Sequence, residues 1–175
     1  MTHGFDANWV AVVAIGVIAC ITDLRTHRIP NVFTFGAAAI GLCYQCWSLG
    51  VAGILHSVGG WLVGVAIFLP LFLLRGMGGG DVKLMGALGT WLGARDVTWV
   101  ALYAALAGGL MGVVVALWHR RLRTSVGNVG MLLWYWRSVG VKPLPELTLE
   151  ASRGPRLAYA IPILAGVVLR MWLPA

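Results

Sequence analysis

Apolar residues run along this chain in long blocks, not in stripes of helical or strand period. The blocks cover about 9–22, 32–49, 51–74, 84–94, 97–118 and 157–173, with polar or glycine-rich residues between them, and the fourth helix is expected over about 80–94. A helix at the surface of a water-soluble core shows a polar face every turn; blocks of about twenty apolar residues are what a bilayer selects. The pattern therefore predicts an all-α fold: a polytopic integral membrane protein with about six transmembrane helices, in one domain over 1–175. The fourth block is short. It crosses only if the glycine-rich stretch ahead of it is partly helical or if the bilayer thins locally. The first block follows a polar start with no basic region, so it reads as a retained helix and not a cleavable signal peptide.

The polar punctuation is uneven. Asp23-Leu24-Arg25-Thr26-His27-Arg28-Ile29-Pro30-Asn31 separates the first two blocks, and Arg75-Gly76-Met77-Gly78-Gly79-Gly80-Asp81-Val82-Lys83 precedes the fourth. Residues 119–156 form the only sizeable non-spanning piece. Within it Val129–Trp136 is apolar and aromatic but too short to cross, which predicts an interfacial helix; Pro143 and Pro145 then interrupt regular structure.

Composition agrees with a bilayer as solvent. Hydrophobic residues make up 59% of the chain and charged residues 11%, and the mean hydropathy is +0.85. The net charge of +7 would suggest nucleic acid in a soluble protein, but here the basic residues sit at block ends, where they set topology. With the Asp23 loop in the cytoplasm and alternating sides, only Arg95 and Arg170 of the 13 Lys and Arg fall outside. That asymmetry predicts six crossings, both termini on the periplasmic side, and no nucleic-acid partner. Cys43 and Cys46 form a lone C-x-x-C inside an apolar run, with no second pair to complete a zinc site. They read, with Cys20, as packing residues, and neither metal nor cofactor is expected. Gly60 with Gly64, and Gly108 with Gly112, have the spacing that lets membrane helices approach closely.

The six acidic residues can be taken one by one. Asp6, Asp96, Glu146 and Glu150 fall in tails or loops and read as solvated. Asp23 and Asp81 each fall at a predicted membrane boundary, on one side, with two crossings between them, so they can meet. Ionisable groups at such positions are costly and usually functional. Gly78-Gly79-Gly80 ahead of Asp81 removes every Cβ, which lets another backbone lie close to the carboxylate. Two carboxylates can hydrolyse an amide: one takes a proton from water while the other polarises the carbonyl, and the two titrations belong to the pair. The predicted helix ends suggest roles. Asp81, at a positive helix N-terminus, would start as base, and Asp23, following a helix at its negative C-terminus, as acid.

These residues resemble the prepilin peptidase family, membrane aspartic proteases with a G-x-G-D motif. The motif is Gly78-Gly79-Gly80-Asp81, continuing Val82-Lys83-Leu84; the second element is Asp23 ahead of Pro30-Asn31; a third match is Ala158-Tyr159-Ala160-Ile161-Pro162, with Ala158 where a proline is expected. The resemblance implies an endopeptidase that removes the short basic leader of type IV prepilins or pseudopilins at the cytoplasmic face of the bacterial inner membrane. Larger members carry a domain with two Cys-x-x-C pairs between the first two helices and also N-methylate the product. Here that loop is short, which implies the minimal type associated with Flp/Tad pili, cleaving without methylation. The catalytic pair would be Asp23 and Asp81. Gly78, Gly79, Gly80, Pro30, Asn31, Lys83, Arg25 and Arg28 would hold substrate, the basic ones against a carboxylate near the cut. Partners would be the prepilin, the bilayer and pilus-assembly machinery.

Other readings use the same residues. A presenilin-like protease would need its aspartates deeper in the membrane. A serine hydrolase on His56 and Ser57 fails on geometry, because adjacent helical residues point about 100° apart. A small transporter or assembly subunit could use paired acids as a proton relay, but Asp23 and Asp81 sit at a boundary and no inverted repeat is evident. A metal held by both aspartates and His27 is the remaining variant.

Overall fold

The computed structural model describes residues 7–26, 28–74, 77–118 and 158–173. They form five helices: α1 (Ala7–Thr26), α2 (Asn31–Leu49), α3 (Val51–Leu73), α4 (Gly79–Trp118) and α5 (Ala160–Trp172). No strand occurs among the described residues. The first four helices are long and apolar enough to cross a membrane, and α5 is shorter. Their faces are inverted relative to a soluble protein. The inward residues of α2 are Thr34, Ala37, Gly41 and Gln45, while Val32, Ile40 and Trp47 point outward. Small and polar side chains pack the interior because lipid tails already satisfy the large apolar ones.

Two glycines with positive φ turn the chain. Gly50 (φ 61) joins α2 to α3, and Gly93 (φ 76) interrupts α4. At Gly93 the chain folds back. Gly64 of α3 lies against Met85 and Gly86, and Gly60 against Gly89, so the first arm of α4 (79–92) runs antiparallel to α3. The second arm (94–118) then returns along α5: Gly166 meets Val100 and Ala104, Gly108 meets Tyr159, and Asp96 pairs with Arg170 at 2.8 Å. Phe68, one turn beyond Gly64, touches Tyr159 edge-on at 6.1 Å, which brings residues 82 and 108 to one level. The two helices read from the sequence at 80–94 and 97–118 are thus 79–92 and 94–118, and the loop expected between them shrinks to the single residue Gly93. The fourth crossing does begin in the glycine-rich stretch, at Gly79.

The first arm is the centre of the bundle. From Asp81 to Gly93 every residue except Lys83 is buried. Its backbone touches α3 directly, for Gly60 and Gly89 face each other so closely that a Cβ on either would overlap the other's carbonyl. The break at Gly93 falls within a turn of Thr90 and Trp91, and both carbonyls accept side-chain bonds. Ser57 Oγ donates to Thr90 O at 2.8 Å, and Gln45 Nε2 donates to Trp91 O at 2.9 Å. Trp91 Nε1 in turn donates to Ala37 O at 3.0 Å. A broken helix in hydrocarbon must find such partners. Replacing Gln45 with leucine strands the Trp91 carbonyl, and we expect about 1–2 kcal/mol lost in detergent-solubilised unfolding. Ser48→Ala is the control, because Ser48 bonds only its own helix, at Tyr44 O.

Three further expectations change. Helix α1 runs to Thr26, not residue 22, because Thr22 and Thr26 return their hydroxyls to carbonyls one turn back and so ride in the helix without a solvated loop. Asp23 therefore lies inside the last turn of α1 and does not follow it. Asp96 is helical and ion-paired, not a solvated loop residue; Arg170 is 9% exposed and would otherwise be a buried lone charge. The last helix begins at Ala160. The interfacial helix expected at Val129–Trp136, the rest of 119–156 and the N-terminal tail lie outside the described residues.

Candidate active site

Helix α1 buries one stripe, Val12, Ile15, Gly16, Ala19, Cys20 and Asp23, at the three- and four-residue steps of one helix face. The stripe packs on α5 and α4, with Gly16 admitting Leu164. The carboxylate of Asp23 is thereby carried inward at the end of an otherwise apolar face.

Asp81 is in the first turn of α4. Its N–H donates to Gly78 O at 3.2 Å, and its carboxylate accepts from the Gly78 N–H. This reciprocal arrangement closes the helix start as a capping box does. Asp23 and Asp81 are 8% and 9% exposed, and their carboxyl groups lie within electrostatic reach of each other. Among the described residues neither is paired with a basic side chain.

The three glycines have separate geometric reasons. A Cβ on Gly80 would sit 3.3 Å from Ile29 Cβ, and one on Gly79 would sit 3.1 Å from Phe72. Ile29, buried between α1 and α2, thus covers the start of α4. Gly78 is exposed, and a Cβ there would meet only Asp81 Oδ2, at 3.1 Å. Of the three, Gly78 alone leaves an open face beside a carboxylate.

Lys83 is two residues from Asp81, about 200° around the helix, so the two face opposite ways. Its Nζ donates to Asn31 Oδ1 at 2.8 Å and lies 5.7 Å from the centre of the Phe35 ring. Pro30 caps the start of α2, its carbonyl accepting from the N–H groups of Phe33 and Thr34. Pro30 and Asn31 thus set where α2 starts and hold Lys83. Arg25 and Arg28 are exposed at the same end. Thr26 Oγ1 donates to Arg28 O at 2.9 Å, tightening the loop between the aspartate-bearing α1 and α2.

The structure brings Asp23, Asp81 and Gly78–Gly80 together, and sets Lys83, Asn31 and Pro30 on the far side of α4. It adds Tyr159, which lies within electrostatic reach of Asp81 and seats its ring in the notch left by Gly108. The sequence signal for it was the Ala158–Pro162 stretch. Ser57 and His56 are spent elsewhere, on the Thr90 carbonyl and against Gly93. His27 lies outside the described residues, and no group of three or more metal-ligating side chains occurs among those described.

A family model for type IV leader peptidases matches residues 10–113, a span that holds both aspartates and the glycine run. The prepilin leader peptidase/N-methyltransferase of Burkholderia pseudomallei (strain K96243) is 34% identical over 130 residues, 68% of this chain and 42% of that protein. Its namesake in Pectobacterium carotovorum is 29% identical over 147 residues, 77% of this chain and 50% of that protein. In Escherichia coli (strain K12) the values are 26% over 132 residues, 65% and 58%. The chain thus spans about half the length of the curated relatives it matches. No solved structure matches it. With the match covering more than half of its residues, the chain belongs to the type IV leader peptidase family.

Proposed function

We propose that this protein is an aspartic endopeptidase that removes the short basic leader of type IV, Flp-like prepilins or pseudopilins at the cytoplasmic face of the inner membrane. The observation that carries the reading is the pair of buried carboxylates, Asp23 and Asp81, held within reach of each other at one end of the bundle.

In the reaction, one carboxylate accepts a proton from water and the water oxygen bonds to the scissile carbonyl carbon. The other, protonated, donates to the carbonyl oxygen as negative charge builds there. The tetrahedral adduct then collapses. Its C–N bond breaks, and the leaving nitrogen takes the proton that water gave up. Asp81 sits at a helix N-terminus and Asp23 in a last turn, so the helix dipoles favour Asp81 as the first base and Asp23 as the first acid. The exposed face of Gly78 lets the substrate backbone approach.

Cleavage proceeds without N-methylation. The support is the short connection between α1 and α2, residues 27–30, at the place where the resemblance puts the cysteine-bearing domain of larger members. The Lys and Arg asymmetry supports the cytoplasmic placing of the site.

The test is to co-express the protein with a Flp-type prepilin in cells lacking other prepilin peptidases, and to read the product by mass. A mature pilin with an unmethylated N-terminus is expected. An unprocessed precursor refutes the peptidase reading, and a methylated product refutes only its second part.

A further inference from the structure

The face of α4 opposite Asp81 is not sealed. Between α2 and α3, with α4 as floor, lies a cavity of about 280 Å³ walled by Phe72, Leu69, Val65 and Phe35, with Lys83 at its rim. A second, of about 290 Å³, continues it past Val58 and Leu42. The two share Phe35 and Trp61, so they form one crevice. Along α3 the walls step from Leu69 and Val65 to Val58, roughly two helical turns, or about 12 Å. Two apolar hollows at that step suit side chains seven residues apart on one face of a docked helix.

Charge narrows the occupant. The Lys83 ammonium is held by a neutral amide and an aromatic face, and no carboxylate pairs with it among the described residues. A cation at the rim of an apolar crevice favours an anionic partner. The path from the crevice to the aspartates is also defined. Gly79 lines the crevice, and exposed Gly78 adjoins Asp81 Oδ2. A chain rounding this end of α4 passes Gly79 beside the Phe72 ring and then reaches the open face of Gly78. The helix backbone is about 5 Å wide, so three or four extended residues span the turn.

We propose that this crevice is the docking site for the substrate's apolar helix, with a carboxylate in that helix's first turn paired to Lys83 and the preceding residues crossing Gly79 and Gly78 to the aspartates. The proposal rests on the peptidase reading above and extends it to how the substrate is held.

The experiment uses the full chain and a prepilin that the wild type cleaves. A photo-crosslinking residue is placed at Val65, at Val58 or, as control, at lipid-facing Val17 of α1, each in an Asp81→Asn background. Adducts with precursor at positions 65 and 58 and none at 17 are expected. Precursor adducts at 17 alone, or only lipid adducts in the crevice, overturn the docking site. Lys83→Met should raise KM about ten-fold with kcat unchanged, as loss of one charge-assisted contact does. A precursor lacking the first-turn carboxylate should show the same rise and be indifferent to Lys83→Met. A purely structural Lys83 would give additive effects, and that result also overturns the proposal. Wild type that cleaves no prepilin sinks the peptidase reading and this one with it, whereas cleavage with crosslinks elsewhere sinks only the docking site.

Discussion

Asp23→Asn and Asp81→Asn should each abolish leader cleavage, lowering kcat by about 10⁴-fold or more, while leaving the fold intact. The size follows from the mechanism. In the proposed mechanism each carboxylate moves a proton at a different atom in one transition state, and general acid–base steps contribute about 10²–10⁴ apiece. Losing either also strands the other, so the two losses do not add. The structural side of the result is equally informative. Both side chains are buried without a basic partner among the described residues, and an amide of the same shape is cheaper to bury than a carboxylate. In Asp81→Asn the new amide keeps an oxygen to accept the Gly78 N–H. Thermal unfolding in detergent should therefore hold or rise in both variants. A variant that cleaves at more than a few per cent of wild type defeats the two-carboxylate mechanism. One that loses activity together with its unfolding transition shows only that the site was structural.

The second large effect concerns glycine. Gly60→Ala adds one methyl group where the Gly89 carbonyl already lies. Backbone cannot yield as a side chain's end can, so α3 and α4 must separate. Contacts between α3 and α4 are the most extensive in the bundle, and overpacking of this kind costs about 1–3 kcal/mol, occasionally more. We expect a loss at the upper end of that range in chemical unfolding, with proteolytic activity lost in step. Gly59→Ala is the control. It is adjacent in sequence, but a Cβ there meets nothing within 4 Å. Equal stability of the two variants would mean that the close approach of α3 to α4 is not what holds the first arm in place.

Much of this arrangement was legible from block lengths and charges. Apolar runs report membrane helices directly, because hydrocarbon tolerates little else. Asp23 and Asp81 stood out for the same reason, and their side chains lie within electrostatic reach of each other. What escaped were features set by single residues or by distant partners. Arg95-Asp96 has the look of a loop, yet both are helical, since Arg170 from the far end of the chain satisfies Asp96. The reversal between the fourth and fifth blocks was legible, but not that it turns on one positive φ at Gly93, in a chain with 24 glycines. Gln45 gave no periodic signal; its use depends on a carbonyl 46 residues away. The glycine triplet was read as room for a substrate, and two of its three members turn out to make room for Ile29 and Phe72.

The enclosed first arm of α4 also bears on the energy economy of the cell. A peptidase of the proposed kind, working at a membrane boundary, must admit water without giving ions a route through. Here every residue between Asp81 and Gly93 except Lys83 is buried. The buried hydroxyl and amide groups along the way, Thr34, Ser57, Thr90 and Gln45, are each committed to a backbone carbonyl. No file of free polar groups leads from the aspartates toward the far end of the bundle among the described residues. In the proposed reaction the helix that presents the carboxylate would thus also be a plug, keeping proton traffic to the end of the bundle where the aspartates lie.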